Sequence, residues 1–189
     1  MDVTRGAMIT ASVVALAAVV SVATLQAEVP RIQLVQASPA STLPGGASSL
    51  NETYKDWRVS CGQQGGAKRC VLSQMQAQKN GQRVLAIELN APAGNSVSGT
   101  LVLPFGLALE SGVTLQIDEK VPMQSLRFLT CLPTGCLVAL TFDALTLAAL
   151  RTGTALKVKA AAVNGTAAPF SIPLPGFATA LDRVVTLVR

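Results

Sequence analysis

From Trp57 onward the chain is built of short runs in which apolar and polar residues alternate, each closed by Gly, Pro or Asn. Period-two alternation bounded by turn residues is the signature of half-buried strands. It predicts strands at Trp57–Cys61, Cys70–Ala77, Arg83–Leu89, Gly99–Leu103, Val113–Asp118, Leu126–Cys131, Cys136–Phe142, Ala155–Val163 and Phe170–Leu174. Gly65-Gly66 and Asn80-Gly81 separate the first three, and Asn80-Gly81 is read as a type I′ hairpin turn, since both residue types tolerate positive φ. Two stretches change period. Ala144–Arg151 is rich in helix formers, with Asp143 placed to cap its start and Gly153 to stop it. A second helix is predicted from Pro175 or Gly176 to Val185, with Phe177, Ala180, Leu181 and Val184 on one face.

Before Trp57 the pattern fails in two different ways. Residues 7–25 are an almost unbroken apolar run, preceded by a single basic residue, Arg5, and ended by Leu25-Gln26-Ala27. This is read as a secretory signal or, because the run is long for one, as an uncleaved anchor associating with the membrane through residues 7–25. Cleavage is preferred, since the run is rich in Ala and Val and has Ala23 and Ala27 at its end. Residues 28–54 then carry Pro30, Pro39, Pro44, Gly45, Gly46 and several Ser without periodicity, the composition of a flexible linker. The expected organisation is 1–27 signal peptide or anchor, 28–54 linker and 55–189 domain. The fold class is mainly β: a single β-sandwich or compact β-barrel-like domain with one or two short helices, preceded by an N-terminal apolar helix.

Composition narrows the chemistry. Half of the 189 residues are hydrophobic and only 13% are charged, ample apolar surface for one ordered domain. Aromatics are 4%, so Val, Leu, Ile and Ala build the core. The net charge of +5 is spread over single or paired Lys and Arg with no run interleaved with aromatics, which speaks against nucleic acid. The chain has no His, which removes Ser-His-Asp and Cys-His nucleophiles and the usual base near neutral pH. Asp118 and Glu119, adjacent at a strand end, are expected to point to opposite faces and form no acid/base pair. Gly65-Gly66 lacks the Lys and Ser/Thr of a phosphate loop. No catalytic residue, cofactor or metal site is predicted.

The four cysteines are the one chemically distinctive set. Cys61 and Cys70 flank a Gly-rich polar loop, and Cys131 and Cys136 flank Leu-Pro-Thr-Gly. Four cysteines allow three pairings; export favours oxidation, and proximity favours Cys61 with Cys70 and Cys131 with Cys136. Zinc would need Cys-x-x-Cys pairs or His, and a redox centre would need Cys-x-x-Cys at a helix start.

Taken in order, Trp57-x3-Cys61, Cys70, Pro104-Phe105-Gly106, Gly112-Val113-x-Leu115-x-Ile117-Asp118, Phe128-x2-Cys131-x3-Gly135-Cys136 and Phe170-Ser171-Ile172-Pro173-Leu174-x-Gly176-Phe177-x2-Ala180-Leu181 resemble the invasion-associated locus B family. The resemblance runs from about Trp57 to Leu181. It marks Trp57, Pro104, Gly106, Asp118, Gly135, Gly176 and Phe177 as family-motif positions of structural character. It implies an exported domain of alphaproteobacteria, named for host-cell entry and without established catalytic residues. The expected location is extracytoplasmic, and the expected partner is an unidentified protein or an envelope or host-surface component.

Overall fold

The computed structural model describes residues 43–189, so the apolar run and most of the expected linker lie outside the described residues. Ten strands and two helices follow in chain order: β1 (Ser49–Tyr54), β2 (Trp57–Gln64), β3 (Ala67–Ala77), β4 (Arg83–Asn90), β5 (Val97–Leu103), β6 (Thr114–Ile117), β7 (Phe128–Leu132), β8 (Gly135–Phe142), α1 (Ala144–Thr152), β9 (Ala155–Ala161), β10 (Ala167–Pro173) and α2 (Phe177–Val188). They form an antiparallel seven-stranded sheet in the order β1-β2-β3-β4-β5-β8-β7 and a three-stranded sheet in the order β10-β9-β6. The mainly β architecture with two helices is the one the alternation predicts.

One face of the large sheet, the small sheet and α2 share a single hydrophobic core. Alternation does the sorting. In β2, Trp57, Val59 and Cys61 point inward, and in β8 Cys136, Val138, Leu140 and Phe142 do. Helix α2 contributes Phe177, Ala180, Leu181, Val184 and Leu187, spaced to form one buried stripe. Helix α1 begins as predicted, with an Asp143 carboxylate oxygen accepting the Thr146 amide at 2.7 Å. That hydrogen bond holds the Asp143 carboxyl below its ordinary pKa.

Two expectations need correction. Residues 28–54 are not linker to their end. Ser49–Tyr54 is strand β1, paired with β2 from Ser49↔Gly62 to Tyr54↔Trp57, and Leu43 is buried in the core. The local pattern hides β1 because Glu52 occupies an inward position that ought to be apolar. The Arg183 guanidinium of α2 compensates it, donating from Nε and Nη2 at 2.7 Å each to the two carboxylate oxygens. The second correction concerns the β3–β4 turn. Asn80 keeps a negative φ and only Gly81 is left-handed, at +82°. The Gly81 amide donates to the Gln78 carbonyl and the Gln78 amide to the Gln82 carbonyl, a three-residue loop closed by a glycine bulge. Asn80 is used instead as an acceptor for the Gln82 amide. The two-residue type I′ geometry belongs to Gly65-Gly66, where φ is +59° and +79° between paired Gln64 and Ala67.

Candidate functional site

The structure divides the sequence-predicted positions into a buried seam and an exposed rim. The seam joins the two ends of the domain. The Trp57 indole meets Phe177 edge-on, with ring centroids 5.0 Å apart and an interplanar angle of 68°. Its Nε1 donates to the Pro173 carbonyl at 3.1 Å, and that carbonyl also accepts the buried Gln74 Nε2 at 3.0 Å. Gly176 precedes α2 at φ +92°, so close to β1 that a Cβ would lie 2.0 Å from the Tyr54 carbonyl oxygen. Only glycine fits there.

Asp118 also serves the framework. Strand β6 ends at Ile117, and Asp118 takes a left-handed φ of +49°, so the strand-end rule of opposite faces no longer governs it and Glu119. Its carboxylate accepts the amides of Ala155 at 2.9 Å and Thr154 at 3.1 Å, which fastens the start of β9. Those amides, Ala155 first, hold its pKa below the ordinary aspartate value. Glu119 turns to Lys157 as an ion pair. The two acids share no chemistry.

Both cysteine pairs are bonded, Cys61 to Cys70 and Cys131 to Cys136, with Cα–Cα distances of 4.1 and 3.9 Å. Each links directly opposed residues of a hairpin with a two-residue turn. Counted from the hydrogen-bonded pair that closes each turn, both fall on non-hydrogen-bonded positions, where backbones approach closest. Their surroundings differ. Cys61 and Cys70 are buried in the core, whereas Cys136 is buried and Cys131 exposed on the edge strand β7.

The rim grows around this second bond. Gly135 adjoins the end of β5, where its Cβ would lie 2.5 Å from the Leu103 carbonyl oxygen. Pro104-Phe105-Gly106 therefore leaves β5 beside the β7–β8 turn, and the Gly106 carbonyl accepts the Val163 amide at 2.9 Å. Phe105 is 62% exposed and Val163 75%. On β7 a bulge between Phe128 and Thr130 takes Leu129 out of the pairing, leaving it 65% exposed. A hollow of about 500 Å³ opens beside it, lined by Leu109, Glu110, Arg127, Phe128, Leu129 and Thr130. Of the nine bulky apolar side chains exposed among the described residues, Leu109 and Leu129 line this hollow, Leu132 ends β7 at the β7–β8 turn, and Phe105 and Val163 flank the Gly106–Val163 hydrogen bond. Apolar side chains gathered on one rim, rather than scattered singly, mark contact surfaces.

The rim offers apolar contact, the Thr130 hydroxyl and one charge of each sign, Arg127 and Glu110. Among the described residues no group of three His, Cys, Asp or Glu could hold a metal. Leu109, Leu129, Leu132 and Val163 carry no mark in the sequence, where exposed and buried Leu look alike. Phe105 does carry one, an aromatic held between Pro and Gly in a turn.

Residues 57–185 match the family model described as Invasion associated locus B (IalB) protein. The chain is 47% identical over 152 residues to an invasion protein B homolog of Brucella abortus (strain 2308), covering 79% of this chain and 87% of that one. It is 35% identical over 152 residues to invasion protein B of Bartonella bacilliformis, covering 79% and 82%. Among solved structures it resembles the crystal structure of invasion associated protein b from Bartonella henselae, with a TM-score of 0.69 and 34% identity over 73% of this chain and 96% of that one.

Proposed function

The chain belongs to the invasion associated locus B family, and from that membership we propose that it is an exported, non-enzymatic envelope protein that binds a protein or surface component through the rim around Phe105. Two disulfides fit an oxidising compartment outside the cytoplasm. The observation that carries the binding role is the solvent-facing apolar set on loops and an edge strand, held in place by the two-sheet scaffold. The relatives' names refer to invasion, so a host-cell or envelope surface is the component to test first. Residues 1–27 act in this reading as the export segment and the following residues as a spacer. Intact-mass measurement distinguishes a mature chain starting near Glu28 from an anchored accessory subunit that keeps residues 7–25.

The test compares wild type with Phe105→Ser and Leu129→Ser for retention on intact host cells and on envelope fractions. Each variant is expected to lose about tenfold or more in binding, as apolar anchors at contact centres do. Equal retention of wild type and both variants would remove the rim from the function.

A further inference from the structure

A second surface, on the solvent side of the seven-stranded sheet, has features of its own. Strand register puts Arg58, Ser73, Glu88 and Thr100 in one row across β2, β3, β4 and β5. The next row is Met75, Ala86, Val102 and Leu137 across β3, β4, β5 and β8. Met75 stands 65% exposed as a ridge between two hollows. One, of about 260 Å³, is lined by Arg58, Ser73 and Met75 among others. The other, of about 430 Å³, is lined by Met75, Ala86, Glu88 and Val102 among others. Arg58 and Glu88 are exposed and belong to none of the ion pairs or side-chain hydrogen bonds among the described residues.

We propose that this face pairs with the same face of a second copy of the chain. The face is complementary to itself at its charged positions. A two-fold axis lying between the sheets and running along β3 exchanges the positions of β2 and β4. It therefore sets Arg58 of each copy opposite Glu88 of the other, giving two equivalent ion pairs from one arrangement. The same rotation brings the two Met75 side chains together at the centre and, farther along β3, sets the two Arg69 side chains opposite each other, each bonded to Gln64 and Asn90 of its own sheet. A flexible thioether with a hollow on either side packs there without displacing its neighbours. Ser73, the next outward residue on β3, and Ala86, the partner of Met75 on β4, are small, which lets the two sheets approach at the centre. The chain's net charge of +5 opposes pairing at long range, but salt screens that repulsion beyond about 10 Å, so the groups in contact decide. A generic acidic partner is less well matched, because Glu88 at the middle of the face would repel it.

The test uses the full chain in an exporting bacterium. Met75→Cys is expected to give a disulfide-linked dimer on non-reducing gels, with Val163→Cys, on the exposed turn between β9 and β10, as the control. In the Met75→Cys background, Arg58→Glu or Glu88→Arg should reduce the dimer about tenfold or more through like-charge juxtaposition, and the two together should restore it. Restoration by the double exchange is the decisive result, since neither misfolding nor random collision reverses on charge exchange. A yield no higher than that of Val163→Cys, as when another segment or partner occupies the face, overturns the proposal. So does a dimer indifferent to both single reversals. The rim variants stay dimeric, which separates this inference from the binding role above.

Discussion

The two disulfide hairpins use one device in two settings. Cys61–Cys70 closes the β2–β3 hairpin and is itself part of the core, in contact with the layer that holds Trp57 and Leu72. Cys131–Cys136 closes the β7–β8 hairpin at the sheet edge, where Cys131 is exposed and the neighbouring side chains Leu129 and Leu132 face solvent. A cross-link within the core repeats what packing already enforces. One at an edge replaces packing that is missing, because β7 has a neighbour on one side only. The first is therefore tied to stability and the second to the shape of the rim.

The seam should yield the largest loss. Gly176→Ala forces a side chain into a left-handed backbone and against the Tyr54 carbonyl, which strips β1 from its seat on α2. A loss of about 3 kcal/mol or more is expected by urea unfolding, combining backbone strain with overpacking. A loss below about 1 kcal/mol would mean that β1 and α2 separate easily, and the contrast between a rigid seam and an adaptable rim would collapse.

Removing each disulfide as a Cys→Ala pair tests the two bonds against each other. Loop entropy alone gives about 2.7 kcal/mol for Cys61–Cys70 and about 2.2 kcal/mol for Cys131–Cys136, since the loops differ little in length. The core adds a cavity cost to the first only, so its loss in urea should be larger by about 1 kcal/mol or more. The second should reduce surface binding by a larger factor than the first, although it costs less stability. Equal effects on both readouts would show that burial does not distinguish the two bonds.

How legible each region is in the sequence follows from how local its determinants are. Strands β2, β4 and β8 declare themselves because their inward residues are apolar at every second position, and α1 because Asp143 and the residues it caps are neighbours. Strand β1 does not, since the residue that makes Glu52 tolerable lies 131 positions away on α2. The turn at Asn80-Gly81 is misread for a related reason: the dipeptide permits type I′, but the register of β3 and β4, with its irregularity at Gln76/Ala77, selects the longer loop. The cysteine pairs are legible because each is closed within a hairpin. The rim is illegible because hydrophobicity reports what a side chain prefers, while the bulge at Leu129 and the turn at Phe105 decide where it goes.

The Glu52–Arg183 pair gives an intermediate effect with a pH signature. The Arg183 hydrogen bonds, ahead of burial that acts the other way, lower the Glu52 pKa below its ordinary 4.5. A carboxyl with a depressed folded-state pKa contributes stability that is complete above the unfolded value and lost as pH falls through the folded one. Wild type should therefore lose melting temperature on acidification below about pH 4.5 more steeply than Glu52→Gln, whose amide does not titrate. Parallel curves for the two proteins would show that the pair does not hold β1 in place.

Phe105→Ser should have the smallest effect on stability, and that is what makes it informative. A side chain 62% exposed has little burial to lose, so unfolding in urea should shift by less than about 0.5 kcal/mol. An aromatic kept at the surface for packing reasons would cost more, because its removal would uncover core. One kept there for contact costs almost nothing until the partner is present. A loss above about 1.5 kcal/mol would assign Phe105 to the framework with Trp57 and Phe177, and the division between seam and rim would have to be redrawn at Pro104.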